Sequence, residues 1–169
     1  MFKFFFSSKH TSYKQNLVDF ATIEFPQKPQ IKTSTKGVTQ IGFTDNTNFY
    51  IVDIEDLSNY GLDIRPDELD DLYKGIIIGF FENPDSQPLL QKKFDLQGLR
   101  GLEIIYSSKY NGAPNLRYKR LLFFNGKIFS YEFWTTISND EKSQPARDKF
   151  FNSFTVTLDK LVLKQYTVS

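Results

Sequence analysis

The dipeptide Asn125-Gly126 lies between two segments, residues 116–124 and 127–136, that are rich in aromatic and aliphatic side chains. Asn-Gly is the preferred pair for a two-residue type I′ turn, because both turn positions need a positive φ. The sequence therefore predicts a long β-hairpin. No other feature of the chain constrains the fold as tightly, since a turn of known length fixes which residues of the two strands face each other.

This turn places the residues at the open end of the hairpin in two pairs on opposite faces. Arg117 pairs with Trp134 on one face, and Tyr118 pairs with Phe133 on the other. Both faces carry large apolar side chains, so we expect each side of the sheet to be at least partly covered. A guanidinium over an indole ring suits a cation–π contact. These four residues are the candidate residues for binding a partner or ligand; Trp134, the only tryptophan, also fits a position at the edge of a core.

Composition excludes several classes of function. The 21 basic and 20 acidic residues nearly balance and form no basic block, which argues against nucleic-acid binding. The chain has no cysteine, and its one histidine, His10, lies near the N-terminus, so we expect no metal site, no cofactor and no catalytic triad. No stretch approaches the about 20 apolar residues of a transmembrane segment, and the N-terminus lacks the pattern of a secretory signal peptide.

The order of elements predicts one α+β domain, residues 20–169, after an N-terminal extension, residues 1–19, that contains a short helix over 12–20. Alternating apolar and polar residues predict strands at 22–25, 30–35, 38–44, 49–55, 90–96 and 101–108, in the hairpin, and in the tail at 155–166. Short connections prevail between them. The expected architecture is an antiparallel sheet with helices packed on it.

Two helices are predicted. The first runs over residues 65–82, with Pro66 in its first turn and one broad apolar face, and the second runs over residues 145–153. Gly75 and Gly79 lie one turn apart near the edge of the apolar face. Each glycine costs about 1 kcal/mol relative to alanine in a helix, so we expect close approach of the helix to the sheet; a dimer seam is the alternative.

Carboxylates are the remaining source of catalytic chemistry. Asp53, Glu55 and Asp56 cluster at a strand end, Asp67 lies at a helix start, and Glu103 lies in a later strand. Two of them converging in one pocket with raised pKa values would form an acid–base pair. A solvated strand end and a helix start that complements the helix dipole explain them without any chemistry. Neither a calcium loop, a phosphate-binding loop nor a nucleophile motif is present, so no catalytic residue is predicted.

Four phrases occur in an order that resembles a broad, functionally uncharacterised bacterial family. They are EFPQKP at 24–29, GLRG at 98–101, FNGKIF at 124–129 and FFNSF at 150–154. The family has an EFPxKP-type opening and an FxxSF-type closing helix, and it is similar to PsbP-like proteins. The resemblance implies an antiparallel sheet sandwiched between helices, and a location in the cell envelope or periplasm. It implies no catalytic or binding residue.

The sequence thus favours a non-enzymatic binding or accessory domain that acts through a sheet face or edge on an unknown protein or small ligand. Two alternatives stay open. One is a carboxylate-based hydrolase, and the other is a structural subunit that forms a homodimer through Gly75 and Gly79 or through a sheet edge. An exposed apolar patch around Trp134 or Phe133 would favour the binding domain.

Overall fold

The structure is a computed structural model that describes residues 12–35, 37–82, 84–111, 113–136 and 140–158. Its strands are β1 (Tyr13–Val18), β2 (Ala21–Phe25), β3 (Gln30–Thr33), β4 (Thr39–Thr44), β5 (Asn48–Asp56), β6 (Gln87–Leu96), β7 (Leu99–Tyr110), β8 (Ala113–Phe124), β9 (Lys127–Thr135) and β10 (Thr155–Val156). Its α-helices are α1 (Leu69–Phe81) and α2 (Gln144–Asn152), and short 3-10 helices lie at Leu57–Tyr60, Pro66–Glu68 and Asp140–Lys142.

Seven strands form one antiparallel sheet in the order β3-β4-β5-β9-β8-β7-β6. A second, smaller sheet has the order β1-β2-β10. The small sheet and α2 pack on one face of the large sheet, here called the α2 face, and α1 packs on the other, the α1 face. The predicted α+β fold, an antiparallel sheet between helices, is confirmed, and the small sheet is not part of that prediction.

The predicted hairpin is formed by β8 and β9. The φ angle is 49° at Asn125 and 71° at Gly126, as a type I′ turn requires. At the open end the two predicted pairs form, Arg117 with Trp134 and Tyr118 with Phe133. The register is confirmed, and successive side chains of both strands point alternately to α1 and to α2.

The core on the α2 face consists mainly of aromatic rings. Phe129, Tyr131 and Phe133 of β9 are fully buried. The ring of Tyr131 stacks on Phe154, with 4.7 Å between the centroids, and Phe129 meets the same ring edge-on. Full burial of one such side chain stabilises a fold by about 1.5–3 kcal/mol, so this layer is a main source of stability.

The core on the α1 face attaches the helix at a defined point. Tyr73 of α1 is 5% exposed. Its hydroxyl donates a hydrogen bond to the carbonyl oxygen of Arg100 at 2.8 Å and accepts one from the backbone N–H of Phe123 at 2.9 Å. Because the hydroxyl contacts two neighbouring strands, it fixes the position of α1 over β7 and β8.

Most of the predicted elements are present. The helix predicted over 65–82 is α1 with the 3-10 turn before it, and the helix predicted over 145–153 is α2. The tail strand predicted over 155–166 begins as β10, and its remainder from residue 159 lies outside the described residues, as does His10.

The prediction of a helix over residues 12–20 is wrong, because these residues contain β1. Tyr13 pairs with Phe25 of β2 at the start of the strand. The ring of Phe20 then meets Phe124 edge-on at 5.4 Å. The helical spacing of a few apolar residues was outweighed by a partner strand and by the aromatic core. The division of the chain into residues 1–19 and 20–169 stays a prediction.

The expected close approach at Gly75 and Gly79 is also wrong. Both glycines point away from the sheet, and a Cβ atom built on either would have nothing within 4 Å. Close approach is found instead at Gly101 of β7. A Cβ atom there would lie 2.9 Å from the carbonyl oxygen of Leu121 and 2.4 Å from the ring of Phe94.

These environments predict opposite effects of the same substitution. Gly101→Ala should destabilise the protein by about 1–3 kcal/mol, because the Leu121 carbonyl belongs to a fixed strand. Gly75→Ala should stabilise it by up to about 1 kcal/mol through helix propensity. Urea unfolding of both variants measures the two effects. Equal destabilisation by the two substitutions would contradict the placement of Gly75.

Candidate functional site

The α1 face of the large sheet is covered over only part of its width. Among the described residues, α1 packs on β7, β8 and the start of β9, and no α-helix lies over β3, β4 and β5; the 3-10 helix Leu57–Tyr60 reaches only Glu55 at the end of β5. On β5, Tyr50, Val52 and Ile54 point to the α2 face and are buried, whereas the residues between them are half-buried. We call this uncovered surface the open face; its residues are Gln40, Gly42, Thr44, Phe49, Ile51, Asp53, Glu55 and Ser130.

A three-layer stack forms one border of the open face. The rings of Phe49 and Trp134 lie 3.5 Å apart between centroids and are inclined by 3°. On the other side of the indole, the guanidinium carbon of Arg117 lies 4.5 Å from the ring centroid, so the predicted cation–π contact is confirmed. Trp134 is therefore held between two side chains and is only 5% exposed.

A buried ion network continues this border toward α1. Glu132 accepts from the ammonium of Lys119 at 2.9 Å, as the hairpin register predicts, and its other oxygen lies 3.5 Å from Arg117. The Lys119 ammonium also lies 4.6 Å from the ring centroid of Phe80 near the end of α1. The Glu132 side chain is 8% exposed. Two cations compensate this buried carboxylate, and the network keeps the border rigid.

Asp53 lies on the open face without such compensation. Its Oδ1 accepts a hydrogen bond from the side-chain amide of Gln40 at 2.9 Å. Burial raises the pKa of the Asp53 carboxyl, and the contributions of Gln40 and Lys119 do not cancel that rise. A carboxyl group whose charged form is disfavoured by its surroundings is a mark of functional sites.

A shallow hollow lies where Gly42 has no side chain. Its volume is about 190 Å³. Lys32, Gln40 and Ile51 contribute to its walls. A Cβ atom on Gly42 would have its nearest neighbour, the carbonyl oxygen of Tyr50, at 3.6 Å. The hollow could therefore be filled by a larger residue without a steric clash.

The structure does not bring the four candidate binding residues together. Arg117 and Trp134 border the open face, whereas Phe133 and Tyr118 lie on the α2 face, at 0% and 8% exposure. The guanidinium of Arg147 covers the ring of Tyr118 at 3.9 Å. Trp134 and Phe133 thus form no exposed apolar patch, and the role of these four residues in binding stays a prediction.

The five carboxylates of the hydrolase hypothesis do not form an acid–base pair. Burial raises the pKa of Asp53. A hydrogen bond from Lys127 lowers the pKa of Asp56 to about 2. Glu103 points to the α2 face; burial raises its pKa, but contacts with Lys92 at 2.7 Å and Arg120 at 2.6 Å outweigh burial and leave the pKa below its usual value.

The remaining two carboxylates add no such chemistry. Asp67 is exposed in the 3-10 turn before α1. Glu55 accepts a hydrogen bond from the hydroxyl of Tyr60 at 2.8 Å. Within the described ranges, no three histidine, cysteine or acidic side chains are grouped as a metal site. In the same part of the chain, no helix has the length and apolar character needed to cross a membrane.

Comparisons with known proteins identify the fold. No protein-family model and no curated protein matches the chain. Among solved structures, the PsbP protein CyanoP of Synechocystis sp. PCC 6803 is similar with a TM-score of 0.60 and 12% identity, over 88% of this chain and 94% of that one. At this identity the likeness confirms the PsbP-like fold and nothing about activity; the matching sequence phrases stay a prediction.

Two other solved structures share the architecture. Protein PA94 of Pseudomonas aeruginosa has a TM-score of 0.56 and 11% identity, over 88% of this chain and 99% of that one. LpqN of Mycobacterium tuberculosis, described as involved in cell envelope biogenesis, has a TM-score of 0.52 and 14% identity, over 88% of this chain and 91% of that one. These likenesses also concern the fold alone.

The environment of Asp53 predicts that its charge lowers stability. Because the pKa of Asp53 is raised in the folded state, its contribution to stability falls as the pH rises through that pKa. Asp53→Asn should therefore raise the urea midpoint at pH 7. The gain should shrink in acid, where the wild-type carboxyl is protonated in both states.

Glu103→Gln makes the matched change at a carboxyl group whose pKa is lowered. The contribution of Glu103 is present at neutral pH and is lost as the pH falls through its lowered pKa. The substitution should destabilise the protein at pH 7 by about 3 kcal/mol, the loss typical of one partner of a buried ion pair. Urea unfolding between pH 3 and pH 7 separates the two variants, and a shift in the same direction for both at pH 7 would contradict the assignments.

Proposed function

We propose that this protein is a non-enzymatic binding domain and that it holds a protein partner against the open face. The observation that carries the proposal is the one-sided burial of β5. Tyr50, Val52 and Ile54 lie in a buried core, but Ile51 on the other side of the same strand is only half-buried, and no α-helix among the described residues lies over it. A strand from the middle of a sheet normally has both faces covered when the sheet lies between helices.

The chemistry of the open face indicates what kind of partner it fits. The hollow at Gly42 offers space for one apolar side chain beside Ile51. Asp53 and Glu55 follow on the same face of β5, so a cation on the partner would meet two carboxylates. We therefore propose a partner segment that combines an apolar residue with lysine or arginine.

The border of the open face supports binding without rearrangement. Phe49, Trp134 and Arg117 are already stacked, and Glu132 is already paired with Lys119. Side chains that are ordered before association lose little conformational entropy when a partner binds. Arg117 and Trp134 thus act by positioning Phe49, and this is the role that we propose for these two sequence-predicted residues.

The hydrolase alternative has less support. It needs two carboxyl groups in one pocket, one protonated and one charged. The pKa of Asp53 is raised, whereas those of Asp56 and Glu103 are lowered by contacts with lysine and arginine. Its neighbour Glu55 faces the same side and is held by the hydroxyl of Tyr60. The arrangement supports recognition of a positive charge more than proton transfer.

Selection from a random peptide display library tests the proposal, with Trp134 fluorescence as the readout. Selected peptides should carry a basic residue next to an apolar one. Gly42→Val should weaken their binding at least about tenfold, equivalent to about 1.4 kcal/mol. The substitution should not unfold the protein, because valine suits a strand and the added Cβ has only an ordinary contact at 3.6 Å.

Asp63→Asn is the matched control for Asp53→Asn, because Asp63 is exposed in the loop before α1. Asp53→Asn should weaken the selected peptides, and Asp63→Asn should leave their affinity unchanged. A library that yields no peptide would overturn the proposal. Peptides that bind the Gly42→Val protein as tightly as the wild type would also overturn it.

A homodimer through α1 is a second candidate, favoured by one observation. Ile78 is 57% exposed on the outward side of the helix, between Gly75 and Gly79. Glycines one turn apart allow two helices to approach closely. If this surface joins two copies, wild-type protein should sediment as a dimer and Ile78→Asp as a monomer. A wild-type monomer at high concentration would eliminate this candidate.

We also propose that the protein acts in the cell envelope, as the family resemblance implies. The fold likeness to LpqN supports this location, since that protein is described as involved in cell envelope biogenesis. Fractionation of cells that express the complete gene product from its own start site tests the location. Recovery only with the cytosol would contradict it.

A further inference from the structure

A larger cavity lies on the α2 face, away from the open face. It forms where β2, the turn before β5 and α2 meet, and its volume is about 370 Å³. That size is within the range of sites that bind small molecules, about 300–1,000 Å³. The cavity is independent of the proposed partner surface, because the large sheet separates the two.

Aromatic rings form the layer behind the cavity. Phe25, Tyr50 and Phe150 are among its lining residues, but they are only 0%, 3% and 2% exposed. The ring of Phe150 lies 5.4 Å from Phe25 and 5.3 Å from Tyr50 between centroids. The three rings thus form a closed layer, and the more accessible apolar lining comes from the exposed Pro26 and the half-buried Ala146.

Two carboxylates line the same cavity. Asp45 is fixed by its own turn, since its Oδ1 accepts hydrogen bonds from the backbone N–H groups of Thr47 at 2.8 Å and Asn48 at 2.7 Å. These bonds help to keep the pKa of Asp45 below its usual value despite burial, so the group is charged at neutral pH. Glu24 of β2 accepts a hydrogen bond from the hydroxyl of Ser12 at 2.5 Å.

Neither carboxylate has a cationic partner among the described residues. The ion pairs that the structure describes do not include Glu24 or Asp45, and the one cation lining this cavity, Lys149, is an exposed side chain of α2. A partly apolar cavity with an excess of negative charge is complementary to an organic cation. It is poorly suited to an anion, which would face two carboxylates.

The hydroxyl of Tyr50 adds a third polar group at the floor. Its ring is almost fully buried, and its oxygen lies beside the side chains of Asp45 and Asn48. Burial, followed by the negative charge of Asp45, raises the pKa of Tyr50 to about 12. The phenol is therefore neutral at physiological pH, and its hydrogen bonds with Asp45 and Asn48 join it to the polar end of the cavity.

We propose that this cavity binds a small organic ammonium ion whose apolar body lies against Pro26 and Ala146 and whose charged group lies between Glu24 and Asp45. Binding would be non-covalent. The apolar body supplies the hydrophobic contribution, and the two carboxylates select positive over neutral or negative ligands.

Three probe ligands of similar shape but different charge separate the effect of ligand charge on affinity from the effect of ligand shape. 2-Phenylethylammonium, 2-phenylethanol and phenylacetate carry a positive, a neutral and a negative group on the same body. Isothermal titration calorimetry at pH 7 should give saturable binding of the ammonium ion, about tenfold or more weaker binding of the alcohol, and no binding of the acid. Amide chemical shifts in β2 and α2 should move, and those of the open face should not.

Glu24→Gln should lower the affinity for the ammonium ion about tenfold, and Ala146→Leu, which fills the cavity from α2, should abolish binding. Glu82→Gln at the end of α1 is the matched control and should change nothing. Urea unfolding shows whether each variant is folded. Equal affinity for the ammonium ion and the alcohol, an unchanged affinity in folded Glu24→Gln, or no saturation by any probe would overturn the proposal.

Discussion

The pairing of β8 with β9 is the constraint on which the other features depend. Because this register is fixed by a two-residue turn, every side chain of β9 is assigned to one of two cores. Phe129, Tyr131 and Phe133 build the aromatic layer under α2, while Glu132 and Trp134 build the polar and aromatic border beside α1. A shift by one residue would bury Glu132 among aromatic rings and expose Phe133. The fold and both candidate sites therefore require the same alignment.

Both faces of the sheet combine rings that pack on one another with rings that contact a cation. On the α2 face the rings close a core, apart from the cavity beside Phe150, and the guanidinium groups of Arg120 and Arg147 lie over Phe151 and Tyr118. On the α1 face Trp134 and Phe80 each contact a cation, and those cations are shared by Glu132. Buried charge is tolerated there because each group has partners on neighbouring strands. The two faces differ in their cover, because the small sheet and α2 lie over one, whereas among the described residues α1 lies over only part of the other.

Local features could be predicted from the sequence, and features that depend on distant strands could not. The turn at Asn125-Gly126 and the apolar period of α1 are contained in short segments, and both are confirmed. The strand at Tyr13–Val18 was missed because β2 decides its structure. Gly101 rather than Gly75 proved to be the glycine at a close approach, which depends on Leu121 of the adjacent strand. The open face and the cavity both involve β5, whose position beside β9 no local pattern indicates.

The contact between β5 and β9 also divides the fold into two meanders. Within each meander, β3 to β5 and β6 to β9, consecutive strands are joined by short connections. The two meanders meet where β5 pairs with β9, and there the contacting residues Asp56 and Lys127 are 71 positions apart in the sequence. Closing so long a loop carries an entropic penalty that nearby pairing avoids. Each meander can therefore assemble locally before the two associate. Phe49 with Trp134, and Tyr50 with Phe133, cross this seam on its opposite sides, so the open face is completed only when the two meanders associate.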